Sequence, residues 1–172
     1  MAVRRKCFVT YHHEDETQVA DFVTKFDHKD DVFIVRRLGE MPGDIIDSTD
    51  TDYVMRKIRE DFISDSTVTL VLAGACTWAR RYVDWEIQAS LRQGNGQLPN
   101  GLLGIPLAGY KQWPGRLLSN MTGNDAYAGW IPYPQSFDAL QQGIEWAFAR
   151  RTTHAQKIIN PRDRFGYNKS CP

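Results

Sequence analysis

One carboxylate of this chain occupies a position that helical geometry predicts to be apolar. In the segment 77–88, at about 100° per residue, Glu86 falls between Tyr82 and Val83 in the middle of the apolar side, whereas Asp84 falls on a narrow polar side. A charge at such a position is costly to desolvate unless it is paired, hydrogen-bonded or open to a cleft. We therefore predict that Glu86 belongs to a functional site and is partly open to a cleft.

The alternative for Glu86 is a structural carboxylate that reaches Arg80 or the edge of the helix. The aromatic residues of the same segment, Trp78, Tyr82 and Trp85, allow two interpretations as well. They form either a packed helix face or, in the case of Trp78 at the helix start, one wall of a pocket beside Glu86.

Two polar segments are further candidates for a site. His12 and His13 are adjacent, and adjacent side chains of an extended segment point to opposite sides, so the sequence argues against a shared metal ion. The acidic loop from Gly39 to Asp52 does not have the spacing of a calcium-binding loop. It is either a solvated loop with one helix cap or a loop that closes over a ligand.

Composition and motifs exclude several classes of function. The 172 residues suit one domain, and 21 basic against 21 acidic residues give a net charge of zero, which argues against nucleic-acid and membrane partners. Neither a P-loop nor a Gly-rich dinucleotide fingerprint follows the first strand, and acidic residues are missing where a phosphorelay receiver needs them. The three cysteines lack metal-site or redox spacing, so we expect a cytoplasmic protein in which Cys7 and Cys76 pack as small apolar residues.

Strand and helix patterns alternate along the chain. Short apolar runs predict strands near residues 6–11, 31–35, 68–73, 102–108 and 129–133. Amphipathic patterns predict helices that begin after residues 15–17, at 53–63, at 78–93 and after a Ser136 cap, and a short helix is predicted at 116–121. Such alternation is typical of an α/β protein. We predict a flavodoxin-like, doubly wound and mostly parallel sheet of about five strands, with helices on both faces.

Ligands of doubly wound sheets bind beyond the carboxyl ends of the strands. Three segments meet there, namely the turn at Tyr11 to His13, the loop from Gly39 to Asp52, and the turn from Gly74 to Thr77 that leads to Glu86. Residues 160–172 look like a loose tail, and we expect the domain to span residues 1–159.

Two segments resemble a known family. The first is the strand and turn Lys6-Cys7-Phe8-Val9-Thr10-Tyr11-His12-His13-Glu14-Asp15. The second lies between Val68 and Ile87 and consists of an apolar strand, a small-residue turn, a Trp and a Glu. Both segments resemble the TIR-like domains of the Thoeris ThsB group. The resemblance covers roughly residues 5–150 and implies a TIR-like fold. It also implies that Glu86 is the catalytic residue of an enzyme that cleaves the nicotinamide–ribose bond of NAD.

The resemblance further implies a role in antiphage defence, in which an ADP-ribose or cyclic ADP-ribose signal is read by a separate effector, with NAD as substrate, no other cofactor, and possible self-association. The substrate-binding residues that we then predict are Tyr11, His12, His13, Asp47, Ser48, Cys76, Thr77, Trp78 and Tyr82. The alternatives are a non-enzymatic TIR-like adaptor, in which Glu86 is structural, and a nucleotide-binding sensor of the same fold.

Overall fold

In the part of the chain that the structure describes, five parallel strands form one sheet. They are β1 (Arg5–Thr10), β2 (Phe33–Arg37), β3 (Val68–Ala73), β4 (Gly101–Pro106) and β5 (Gly129–Trp130), in the order β2-β1-β3-β4-β5. The computed structural model describes residues 5–27, the backbone of 33–37, and 50–172. This order reverses between β1 and β3, so the predicted flavodoxin-like, doubly wound sheet is confirmed.

Within the described residues, five helices accompany the strands: α1 (Glu16–Phe26), α2 (Thr51–Lys57), α3 (Arg81–Ser90), α4 (Gly115–Met121) and α5 (Phe137–Thr153). A π-helical turn, Ile58–Ile63, continues α2, and 3-10 turns lie at His13–Asp15, Thr77–Ala79 and Ala155–Lys157. The prediction of one helix from Trp78 to Gln93 is wrong at its start, because the backbone of Arg80 is extended (φ −94°, ψ 127°). The predicted Ser136 cap is confirmed, since its hydroxyl accepts a hydrogen bond from the Ala139 amide.

Helices cover both faces of the sheet, as predicted. Because successive side chains of a strand point to opposite faces, Cys7 and Val9 of β1 pack with α1 and α5, whereas Phe8 packs with α2 and α3. Cys7 is a buried free thiol, as the sequence predicted. The same alternation directs Thr10, the last residue of β1, toward α3.

The expectation of a loose C-terminal tail is wrong. Residues 160–172, here called the C-terminal strap, run along the side of α3 that faces away from the sheet. The indole nitrogen of Trp85 donates to the Phe165 carbonyl at 2.8 Å, and the Lys169 amide donates to the Ala79 carbonyl at 2.8 Å. The strap therefore covers the side of α3 that the sequence assigned to solvent.

Cys76 does not pack as a free apolar residue, which corrects a second prediction. It forms a disulfide with Cys171, which joins the turn after β3 to the end of the C-terminal strap. The two cysteines are 95 positions apart in sequence, so short-range spacing could not predict their pairing. The expectation of a cytoplasmic protein rested on unpaired cysteines, and this disulfide removes that support.

A buried ion pair holds the C-terminal strap to α3 and α4. Asp84, predicted to be on the polar side, is buried, and its carboxylate accepts from the Arg116 guanidinium at 2.9 Å and from the Phe165 amide at 3.0 Å. Arg116 also donates to the side chain of Asn160 and to the carbonyl of Pro161. One arginine thus satisfies the buried carboxylate and orders the start of the strap.

None of the helices within the described ranges is long and apolar enough to cross a membrane.

Replacing Arg116 by Leu should lower the free energy of unfolding by about 3–5 kcal/mol, because it leaves the buried Asp84 carboxylate without its cation. Chemical denaturation measures this change. Adding Asp84→Asn to the variant should recover a large part of the loss, because the uncompensated charge is then removed. A loss below about 1 kcal/mol for Arg116→Leu would show that the pair does not anchor the strap.

Candidate functional site at the carboxyl end of the sheet

The buried carboxyl group of Glu86 contacts the end of the first strand. Thr10 is fully buried, and its hydroxyl donates a hydrogen bond to Oε2 of Glu86. On α3, Glu86 lies between Trp85, which packs with α2, and Val83 and Ile87, which pack toward α4. The predicted position of Glu86 on the inward side of the helix is therefore confirmed.

The expectation that Glu86 is partly open to a cleft is wrong. Its side chain is only 4% exposed, and no described residue forms an ion pair with it. Burial raises its pKa to about 8, although the hydrogen bond from Thr10 opposes this shift. In this conformation Glu86 is mostly neutral at pH 7, and the alternative of a contact with Arg80 is not the arrangement observed.

A second set of hydrogen bonds joins the turns after β1 and β3. The Thr77 hydroxyl accepts from the Gly74 amide at 2.9 Å and donates to the Asp15 carboxylate at 3.3 Å. A Cβ atom at Gly74 would lie 2.3 Å from that carboxylate, so a larger residue there would force the Asp15 side chain to move. Burial raises the pKa of Asp15, and the hydrogen bond from Thr77 opposes the rise.

The two histidines lie side by side, contrary to the argument from an extended segment. His12 is extended but His13 begins a 3-10 turn, so the ring centroids are 4.4 Å apart. The ligand atoms of His12, His13 and Glu14 lie within 4.8 Å of one another, a spacing at which they could share a metal ion. The absence of a metal site stays a prediction of the sequence.

His12 is the more constrained of the two histidines. Its ring is 3% exposed, and Nε2 forms no hydrogen bond with a described residue, although Oε2 of Glu14 lies 3.3 Å away. Burial lowers its pKa, with the neighbouring His13 and Arg80 acting in the same direction. His12 is therefore neutral near pH 7 and offers a nitrogen lone pair or N–H to a bound group.

Other predicted site residues have structural contacts of their own. The Tyr11 hydroxyl donates to Glu16 at 2.9 Å, and the Trp78 indole donates to the Ala75 carbonyl of its own turn at 3.1 Å. Tyr82 packs against Trp85 with ring centroids 5.3 Å apart, as part of the contact between α2 and α3. The predicted residues Asp47 and Ser48 lie outside the described residues.

A comparison with protein families decides the classification. The family model described as Thoeris protein ThsB, TIR-like domain, matches residues 8–111, more than half of the chain. The chain belongs to this family. No curated protein matches it.

The matched part of the TIR-like domain contains the residues that meet at the carboxyl end of the sheet, from Thr10 and Asp15 to Thr77 and Glu86. The C-terminal strap lies beyond the matched residues, so its disulfide joins the family region to a segment outside it.

Sequence reasoning missed two residues of this TIR-like site. Thr10 and Asp15 are absent from the predicted site residues, although both lie in the segment 6–15 that carries the family resemblance. Strand parity could have found Thr10, because it shares the face of Phe8 that lies under α3. No local signal links Asp15 to Thr77, which lies 62 residues away.

Replacing Glu86 by Gln should stabilise the TIR-like domain increasingly between pH 5 and pH 8. The folded protein binds the Glu86 proton more tightly (pKa about 8) than the unfolded chain (4.5), so this group's contribution is fully present below pH 4.5 and is lost as the pH rises through 8. The difference between variant and parent should reach roughly 4 kcal/mol at pH 8.

Unfolding by urea at several pH values measures this difference, with Glu60→Gln, at an exposed position, as the matched control. The difference in the free energy of unfolding between Glu60→Gln and the parent should stay constant between pH 5 and pH 8. A Glu86→Gln difference that does not change with pH would show that the Glu86 carboxyl is already ionised in the folded protein.

Proposed function

We propose that this TIR-like domain cleaves the bond between nicotinamide and ribose in NAD, and that Glu86 is the catalytic residue. The observation that carries the proposal is a buried carboxyl group with a strongly raised pKa at the carboxyl end of a doubly wound sheet. Membership of the Thoeris ThsB family supports the choice of reaction and a place in antiphage defence.

The reaction suits a single carboxylate. Nicotinamide leaves C1′ of the ribose with the electron pair of the broken bond and becomes neutral, so no general acid is required. Positive charge then develops on the ribose, and a nearby carboxylate in a site of low dielectric stabilises it more than it stabilises the ground state. Water adds to C1′ and releases a proton to give ADP-ribose, or a hydroxyl of the same molecule adds to give a cyclic product.

The burial of Glu86 sets a condition on this mechanism. A side chain that is 4% exposed cannot contact a ribose, so the groups around it must move when substrate binds. The pyridinium ring of NAD carries a positive charge, and a cation near a carboxyl group lowers its pKa. Substrate binding therefore both requires access to Glu86 and favours its ionised form.

Neighbouring residues have roles in the same proposal. His12, with its buried Nε2, would face the ribose and phosphates together with His13 and the backbone of Tyr11. The contact between Asp15 and Thr77 would hold the two turns in register. The product would act as a signal for a separate effector, and a second copy of the chain would complete the site.

A non-enzymatic adaptor is the second candidate, and the same burial favours it. A neutral carboxyl group that bonds the end of β1 is a sufficient structural reason for Glu86. In that case Glu86→Gln, which keeps the acceptor for Thr10, leaves the function of the domain unchanged.

Incubation of the full chain with NAD should release nicotinamide, measured by chromatography. At NAD concentrations well below KM, where the pH dependence reports the free protein, the rate should rise with pH toward about 8 because the ionised form of Glu86 is required. Glu86→Gln and Glu86→Ala should lower the rate at least about a hundredfold, because a positioned charge is lost at the developing cation.

Glu60→Gln is the matched control and should keep the parental rate. The assay is repeated at high protein concentration and with lysate of phage-infected cells, which covers sites completed by a second copy or opened by a trigger. Release that is absent under all these conditions, or equal in the Glu86 variants, would contradict the enzyme and favour the adaptor.

A further inference from the structure

Five arginines line one cavity on the side of α3 that faces away from Glu86. The cavity has a volume of about 700 Å³. Arg56 and Arg59 come from α2 and its π-helical turn, Arg92 follows α3, and Arg162 and Arg164 belong to the C-terminal strap. Three segments far apart in sequence thus bring their cations to one place in a chain whose net charge is zero.

Carboxylates do not balance this charge. The acidic residue that lines the cavity is Asp52, which pairs with Arg164 at 3.1 Å but is itself 91% exposed. Such exposed ion pairs contribute little free energy of stabilisation. Arg56, Arg59, Arg92 and Arg162 form no ion pair with a described carboxylate, so a large excess of positive charge remains in the cavity.

Arg59 and Arg92 lie at the centre of this arrangement. Both also line a neighbouring cavity of about 240 Å³, so they stand between the two spaces. Burial lowers the pKa of Arg59 and the charge of Arg92 lowers it further, whereas Glu60 in the neighbouring cavity opposes the shift and Arg164 and Arg56 add to it. Holding these guanidinium groups together costs free energy that a bound anion would offset.

We propose that this cavity binds a small ligand that carries two or more phosphate groups, such as a nucleotide or an inorganic polyphosphate. Guanidinium groups bind phosphate oxygens in pairs of parallel hydrogen bonds, and they stay charged throughout the physiological pH range. The volume falls within the range of small-molecule sites, which excludes a duplex nucleic acid as the enclosed ligand. The side-chain amide of Gln88, also in the lining, donates to the carbonyls of Pro161 and Arg162 and so holds the C-terminal strap in place at the cavity.

The cavity is distinct from the candidate catalytic position. Gln88 and Arg92 are separated by four residues and share a side of the helix, whereas Glu86 lies two residues, or about 200°, away from Gln88. Glu86 contacts Thr10 under the helix. Binding at the arginine cavity therefore needs no movement of Glu86 and is testable without NAD.

The test is thermal unfolding of the full chain in low salt with inorganic phosphate, AMP, pyrophosphate, tripolyphosphate or ATP as the added probe. Pyrophosphate, tripolyphosphate and ATP at millimolar concentration should raise the melting temperature by about 3–5 °C, and phosphate and AMP by much less. Equal effects of ATP and tripolyphosphate would identify recognition through phosphates alone, and a larger effect of ATP would identify a nucleotide.

The double variant Arg59→Gln, Arg92→Gln should lose most of the shift while unfolding at the same or a higher temperature without ligand, because repulsion is relieved. Lys57→Gln is the matched control, since it removes one charge from α2 outside the cavity lining and should keep the shift. No shift with any polyphosphate, an equal shift with phosphate, or an equal loss in Lys57→Gln would overturn the proposal.

Discussion

The hydrogen bond between Thr10 and Glu86 joins the end of β1, which lies between β2 and β3 in the sheet, to the middle of α3. A buried carboxyl group cannot keep its charge without a cation, and no described cation reaches this one, so it is mostly neutral at pH 7. The position of α3 follows from this constraint, because the helix must place Glu86 over the strand end while Trp85 and Val83 fill the core on either side.

Two further sets of contacts hold α3 in place in addition to the bond between Thr10 and Glu86. Thr77 joins the turn before the helix to Asp15 of the first turn, and the ion pair of Asp84 with Arg116 joins its outer side to the C-terminal strap. The strap ends in the disulfide of Cys171 with Cys76, one residue before Thr77. Contacts near the carboxyl end of the sheet therefore extend along α3 to the arginine cavity, because the strap takes part in both.

The fold could be predicted from local pattern, whereas much of the site could not. The apolar run of β3 and the alternation of strands and helices predicted the parallel sheet, and helical periodicity placed Glu86 on the inward side of α3. The exposure of Glu86, the burial of Asp84 and the pairing of Cys76 were predicted wrongly, because each depends on a contact far away in sequence. The strap supplies two of these contacts, and its polar sequence gave no apolar pattern to reveal that it packs.

The central claim is that Glu86 is a carboxyl group held neutral by its surroundings at the carboxyl end of the sheet. Its pKa is measured directly by following the side-chain carboxyl carbon by NMR across a pH titration of the full chain, with the signal assigned by its loss in Glu86→Gln. The midpoint should lie near pH 8. A midpoint near 4.5, the ordinary value, would show that the group is solvated or paired and would contradict this description of the site.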